Sequence, residues 1–340
     1  MIKKCVYTIL IFVVFGAGHV FAQDKDISPL LKTGDEHNKV ESVKVAAVQL
    51  LTSWDIEDNE RKITEAIIEA AEQGVEIILF QEGALTNYPV EDDIEKIDFE
   101  KVRAAEKRIL SLSKKHNIAI LLSSSSEENG KYYNHVVIAN ENGKILGRYA
   151  KTWRAGDKPY EPGTGPVIFT VAGVEATVII CHDIRYPELP RLAVAAGAQI
   201  IFIANNESGL YYEDKLLGYR SIQIARAAEN IVYSVMANSA ADPKDAARYN
   251  ASHGNSKIVE PLGDIIDEAG YYEERLVIGT LDLKKASRST ASRTIGKNEH
   301  FKEFYCVEFE NQAYQEWMQA GLKLVKRLDG TDVPEYLKEK

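Results

Sequence analysis

The chain has 340 residues, 45% of them hydrophobic and 9% aromatic, enough apolar material for one large core or two ordinary ones. Lys and Arg number 41 against 51 Asp and Glu, a formal charge of -10, which argues against a broad basic nucleic-acid footprint. Three cysteines and the lack of any low-complexity tract exclude disulfide-built scaffolds, collagen and disorder.

At the N-terminus, Lys3 and Lys4 precede an apolar run from Cys5 to Phe15, and small residues lead to Val20-Phe21-Ala22. This pattern predicts a signal peptide over 1–22. The run is shorter than the roughly 20 residues of a spanning helix; an uncleaved anchor is the rival if Gly16 to Phe21 are counted with it. The expected mature protein is exported, periplasmic or secreted, without stable membrane insertion, and keeps Cys181 and Cys306. Residues 23–42 are polar and without periodicity.

The body of the chain is expected over 43–285. Val43 to Gln49 reads as a buried strand. Ile63, Ala66, Ile67, Ala70 and Ala71 recur at helical spacing, with Gly74 placed to end that helix. Val75 to Phe80 is a second strand, Val102, Ala105, Ile109 and Leu112 mark a second helix, and Ile118 to Ser123 a third strand. The grammar then changes to hairpins: His135 to Asn140 with Ile145 to Ala150 across Asn142-Gly143, and Val167 to Val171 with Glu175 to Ile180 across Ala172-Gly173. A helix over Leu189 to Ala196, a strand Ile200 to Ala204, a helix Leu216 to Ala228, and strands near Ile231 to Ala237, Lys257 to Glu260 and Leu276 to Leu281 complete a mixed α/β system. The charged extension 286–340 carries Phe301, Tyr305, Trp317, Leu322 and Val325, suited to packing on the body or on a second subunit.

Strand ends in α/β proteins are where side chains leave the core and face a crevice. Glu82, Lys151 and Cys181 each follow a predicted strand. Together a carboxylate, an ammonium and a thiol suit nucleophilic acyl chemistry: the sulfur attacks, the carboxylate moves protons, and the ammonium lowers the thiol pKa and holds an oxyanion. Singly, Glu82 and Lys151 read as solvated surface charges. Cys181 alone reads equally as a small core residue or as a functional thiol, with a disulfide to Cys306 a further alternative in an oxidising compartment. Asn205, Asn206 and Glu207 follow the strand Ile200 to Ala204 and are expected to contact substrate, with Tyr211 and Tyr212 beyond them in a loop able to close the site. His182 and Asp183 either shape the pocket or pin the turn, Arg185 and Glu188 read as an ion pair at the elbow, and Arg226 with Glu229 as an intrahelical or helix-to-sheet pair. The seven histidines are scattered without ligand-like spacing, so no metal or other cofactor is expected.

Six segments in register carry a resemblance: Val45-Ala46-Ala47-Val48-Gln49, Leu79-Phe80-Gln81-Glu82, Gly147 to Thr152, Val178 to Glu188 around Cys181-His182-Asp183, Ala225 to Asn230, and His253 to Val259. In their order and spacing the sequence resembles the nitrilase superfamily of carbon-nitrogen hydrolases. The resemblance implies an α-β-β-α sandwich that dimerises through its helical layers, with Glu82 as general base, Lys151 as oxyanion-stabilising lysine and Cys181 as nucleophile. It also implies a second glutamate in the loop after the lysine. The loop Thr152 to Gly163 has none at that distance, so Asp157, the nearest carboxylate by spacing, takes the auxiliary role, with Glu161 one residue before the Pro. The expected function is hydrolysis of a non-peptide C–N bond in a small amide or N-carbamoyl compound through a Cys thioester, by a homodimer or higher homo-oligomer. His182 stands where true nitrilases commonly have tryptophan, which favours an amidase. The alternative of another class is a catalytically silent binding or assembly module.

Overall fold

The structure is a computed structural model that describes residues 40–88, 91–156, 159–207, 213–244, 252–295 and 312–338. The predicted signal peptide and most of the polar segment lie outside these residues, as do Asp157, Tyr211, Tyr212 and Cys306.

Two sheets form the centre. The first is six-stranded, in the order β12-β1-β2-β3-β4-β5, and the second seven-stranded, in the order β11-β10-β9-β8-β7-β6-β13. The strands are β1 (Ser42–Gln49), β2 (Ile77–Leu79), β3 (Ala119–Glu128), β4 (Lys131–Ala139), β5 (Ile145–Ala150), β6 (Val167–Val171), β7 (Val174–Ile180), β8 (Ile200–Ala204), β9 (Tyr233–Ala237), β10 (Lys257–Val259), β11 (Ile265–Glu268), β12 (Arg275–Asp282) and β13 (Lys326–Leu328). The helices are α1 (Ile56–Glu72), α2 (Phe99–His116), α3 (Glu188–Ala196), α4 (Glu213–Ala228), α5 (Ser289–Thr294) and α6 (Gln312–Leu322).

Side-chain alternation explains the layering, because successive residues of a strand point to opposite faces. In β1, Val43, Val45 and Ala47 join a core between the sheets, whereas Ala46 and Val48 pack outward with Ile63 and Ile67 of α1 and Val102 and Ile109 of α2. In β8, Ile200, Phe202 and Ala204 point inward, whereas Ile201 and Ile203 face α3, Met318 and Leu322. Strands buried on both faces read as continuous apolar runs, and the result is the expected α-β-β-α sandwich. Helix starts follow the capping rule: Asp55 and Asp98 accept the first free backbone N–H groups of α1 and α2,.

Parallel pairing of β2 with β1 and β3, and of β8 with β7 and β9, brings several strand C-termini to one end of the molecule. The C-terminal segment packs on its own body. β13 pairs in parallel with β6 and inserts Leu328 into the core between the sheets. Gly330 N–H then bonds to the Leu146 carbonyl of β5 at 2.8 Å, so this segment joins the edges of both sheets. β11 and β13 are short strands that the sequence pattern did not mark.

Candidate active site

Glu82 sits just beyond β2, Lys151 just beyond β5, and Cys181 just beyond β7. All three are buried. Lys151 Nζ donates to Glu82 Oε1 at 2.9 Å. Asn134 Nδ2 of β4 donates to the same oxygen at 2.7 Å, and the backbone N–H of Asn206 donates to Oε2 at 3.1 Å. The Glu82 N–H in turn bonds to the Asn205 carbonyl at 3.1 Å. The carboxylate of one sheet is therefore held by the strand end of the other. A buried ion pair of this kind needs its remaining lone pairs satisfied to be tolerated, and these donors satisfy them.

Two glycines let the backbone reach these positions. Gly83 has φ +68 and a Cβ there would overlap the Asn87 carbonyl, while a Cβ on Gly163 would overlap the Ala150 carbonyl. Gly163 N–H bonds to the Lys151 carbonyl at 2.7 Å and Lys151 N–H to the Asn134 carbonyl at 2.9 Å, which fixes the lysine from both sides. Its ammonium also lies 3.4 Å from the Tyr88 hydroxyl.

Cys181 is a free thiol with φ +45. A non-glycine residue in the left-handed region costs of order 1–3 kcal/mol and persists where its surroundings over-determine it. The determinant here is Asp183, fully buried. Its Oδ2 accepts from Ile180 N–H at 3.1 Å and from the Tyr149 hydroxyl at 2.7 Å, and its Oδ1 from Trp153 N–H at 2.7 Å. Thr152 N–H lies 3.4 Å from Oδ2. One carboxylate thus ties the turn that carries the thiol to the two residues that follow Lys151. Burial raises Asp183 to a pKa of about 6, with the hydrogen bonds from Tyr149, Trp153 and Ile180 pulling the other way,. Arg226 supports the same turn, donating from Nε to the Ile184 carbonyl at 2.8 Å while pairing with Glu229 at 2.7 Å.

Burial pushes the Cys181 thiol well above its ordinary pKa, the carboxylates of Glu82 and Glu207 push the same way, and Lys151 pulls it down. Desolvation and the two negative neighbours act against the single ammonium, so the surroundings favour attack in which a base takes the thiol proton. Proton transfer to a carboxylate then accompanies attack, as general-base catalysis requires.

The other sequence-derived candidates fall around this cluster. The Glu207 carboxylate is buried and 3.7 Å from the sulfur. Asn205 and Asn206 hold Glu82 through backbone groups, and the Asn205 side chain turns to Met236 Sδ at 2.9 Å. His182 is half-buried and edge-on to Tyr186, which stacks on Trp153 with ring centroids 4.3 Å apart. Arg185 does not make the ion pair with Glu188 expected at the elbow: its guanidinium lies 4.9 Å over the Tyr219 ring of α4, where it hydrogen-bonds with Tyr219 and faces the negative Glu207,. Sequence reasoning gave Asp183 the same two readings as His182, shaping the pocket or pinning the turn, and assigned no role to Asn134 or Tyr219. A polar residue inside an apolar strand was the available signal for Asn134.

A family model described as carbon-nitrogen hydrolase matches residues 44–290, and the chain belongs to that family. The 2-oxoglutaramate amidase of Bacillus subtilis (strain 168) is 27% identical over 248 residues, covering 72% of this chain and 92% of that protein. An N-carbamoylputrescine amidase of Arabidopsis thaliana is 28% identical, covering 71% of this chain and 89% of that one. The crystal structure of an amidase from Nesterenkonia sp. superposes with a TM-score of 0.63 at 25% identity, covering 73% of this chain and 94% of that chain. These relatives are amidases, and this chain is an amidase-like carbon-nitrogen hydrolase of the nitrilase superfamily.

Proposed function

We propose that this enzyme hydrolyses the C–N bond of a small carboxamide or N-carbamoyl compound, releasing ammonia or an amine through a thioester on Cys181. The observation that carries the reading is the convergence, from three strand ends and two sheets, of a buried thiol with a carboxylate that is ion-paired to a lysine at 2.9 Å. Sγ bonds to the carbonyl carbon as its proton passes to Glu82, and the carbonyl π pair moves to oxygen. Lys151 and the backbone N–H of His182 stabilise that oxyanion. Glu82 then delivers the proton to nitrogen, the C–N bond breaks and ammonia or amine departs. Glu82 next takes a proton from water, which adds to the thioester carbon; collapse expels the sulfur, which regains its proton, and frees the acid. The steps form two acyl transfers at one carbon.

The leader-like pattern over 1–22 supports an exported, periplasmic or secreted enzyme. The apolar side chains Leu217, Trp317 and Leu324, exposed on the helical layer over the second sheet, support a homodimer through that layer. The free Cys181 thiol speaks against the disulfide-bonded form of the silent-module alternative.

The test is ammonia release from a panel of small aliphatic carboxamides, ω-carboxamides of keto acids and N-carbamoyl amines. Wild-type protein is expected to turn over at least one class, with Cys181→Ala and Glu82→Gln lowering kcat by at least about 10³-fold. Turnover retained by Cys181→Ala refutes the reading.

A further inference from the structure

Glu207 is a buried carboxylate beside the nucleophile that none of the steps above uses. It lies three residues past the end of β8, next to Asn206, whose N–H holds Glu82. Its own N–H bonds to Asn238 Oδ1 at 2.9 Å. Asn238 is fixed by Ser256 Oγ, which accepts its N–H at 2.8 Å, and by the Gly254 carbonyl, which accepts its Nδ2 at 2.7 Å. The carboxylate hydrogen-bonds with Tyr219 and has Arg185 nearby. Its Oε1 stands 3.7 Å from Cys181 Sγ, so it addresses the atoms that will be bonded to the attacked carbon rather than a distant tail.

In a carboxamide that carbon carries an oxygen, a nitrogen and an organic group. The oxygen becomes negative and goes to Lys151. The organic group has no obligatory donor. The nitrogen of a primary amide has two N–H donors, and two carboxylates, from opposite sheets, flank the sulfur. Glu82 already receives Lys151, Asn134 and Asn206, which leaves it about one of a carboxylate's four acceptor positions. Glu207, with Cys181 and Tyr219 as its side-chain partners among the described residues, keeps positions open. We propose that Glu207 is the second acceptor for the scissile –NH₂ group and restricts this enzyme to amides and carbamoyl groups with an unsubstituted nitrogen, so that the product is ammonia rather than an amine. This deepens the amidase reading and rests on it. An N-alkyl group would meet the Glu207 carboxylate and leave a buried acceptor without a donor.

The experiment takes the best carboxamide of the panel and its N-methyl derivative, measured by loss of parent compound with wild type, Glu207→Gln and Glu207→Leu. Wild type is expected to prefer the primary amide by roughly 10- to 100-fold in kcat/KM. Both variants are expected to lose most of that preference by losing the primary amide, and Glu207→Leu to retain or gain on the N-methyl compound. A structural role alone would lower both substrates together and leave their ratio unchanged; that result, or a wild type indifferent to N-methylation, overturns the proposal. If Glu207→Leu does not fold, the ratio is read on the isosteric Glu207→Gln. Absence of turnover by wild type across the whole panel overturns the amidase reading instead, which separates the two failures.

Discussion

Replacing Asp183 by Asn tests whether one buried carboxylate aligns the thiol with the lysine. If the Asn oxygen takes the place of Oδ2, it keeps Ile180 and Tyr149, but its –NH₂ then faces the Trp153 N–H that Oδ1 accepts at 2.7 Å. A backbone donor left without its acceptor costs about 1–3 kcal/mol. Against this, burial raises Asp183 from 3.8 to about 6, and at ~1.4 kcal/mol per tenfold in proton affinity its ionised form costs the native state about 3 kcal/mol at neutral pH. Asn never ionises, so the two effects nearly cancel and the melting temperature should move little at pH 7. Activity should not be spared, because a shift on the order of 1 Å between Lys151 and Cys181 lowers kcat about 10²-fold. The pH dependence adds a second readout. Between about pH 4 and 6 native Asp183 binds a proton that the unfolded chain has released, so wild-type stability falls as pH rises through that window. The variant should lose this share of the slope, with Glu207, also raised to about 6 by burial, supplying what remains. Steady-state kinetics and urea melts at pH 4, 5, 6 and 7 decide it. Undiminished kcat, or a kcat loss matched by an equal loss of stability at pH 7, refutes the alignment argument.

The Glu82 and Lys151 pair should behave as a unit. Lys151→Met leaves a buried, uncompensated carboxylate and should destabilise by about 3–5 kcal/mol, while the double variant Lys151→Met/Glu82→Gln should recover most of that stability with no recovery of activity; thermal melts of the four proteins check the cycle. Gly163→Ala forces a Cβ against the Ala150 carbonyl and should lower kcat on the order of 10²-fold with a reduced melting temperature, because the Gly163 N–H that fixes Lys151 is displaced; a variant with wild-type kcat contradicts the close approach.

The strands that build the sandwich were legible because burial on both faces leaves uninterrupted runs such as Ile200 to Ala204, and the hairpins because Asn142-Gly143 and Ala172-Gly173 supply residues with positive φ, as found at Gly143, Ala172 and Gly173. β11 was missed because its Ile265 and Ile266 are exposed and its other two residues are acidic, which gives a pattern no different from a loop. β13 was missed because Lys326-Arg327-Leu328 buries only Leu328, and its pairing with β6 joins segments far apart in sequence. Glu82, Lys151 and Cys181 stood out as reactive residues at strand ends. The contribution of Asp183 did not, since a carboxylate after a strand looks solvated until the fold surrounds it with four donors. Likewise the charge balance at the sulfur depends on Glu207, which approaches Cys181 only through the parallel pairing of β7 and β8.

The central claim is that an acyl group is carried on one sulfur. Wild-type enzyme quenched in acid during turnover of its best carboxamide, digested and weighed by mass spectrometry, should carry the mass of the acyl group, substrate less ammonia, on the peptide containing Cys181, and hydroxylamine should remove it. Turnover that proceeds with no acyl mass on that peptide, or with the mass on another residue, contradicts the account.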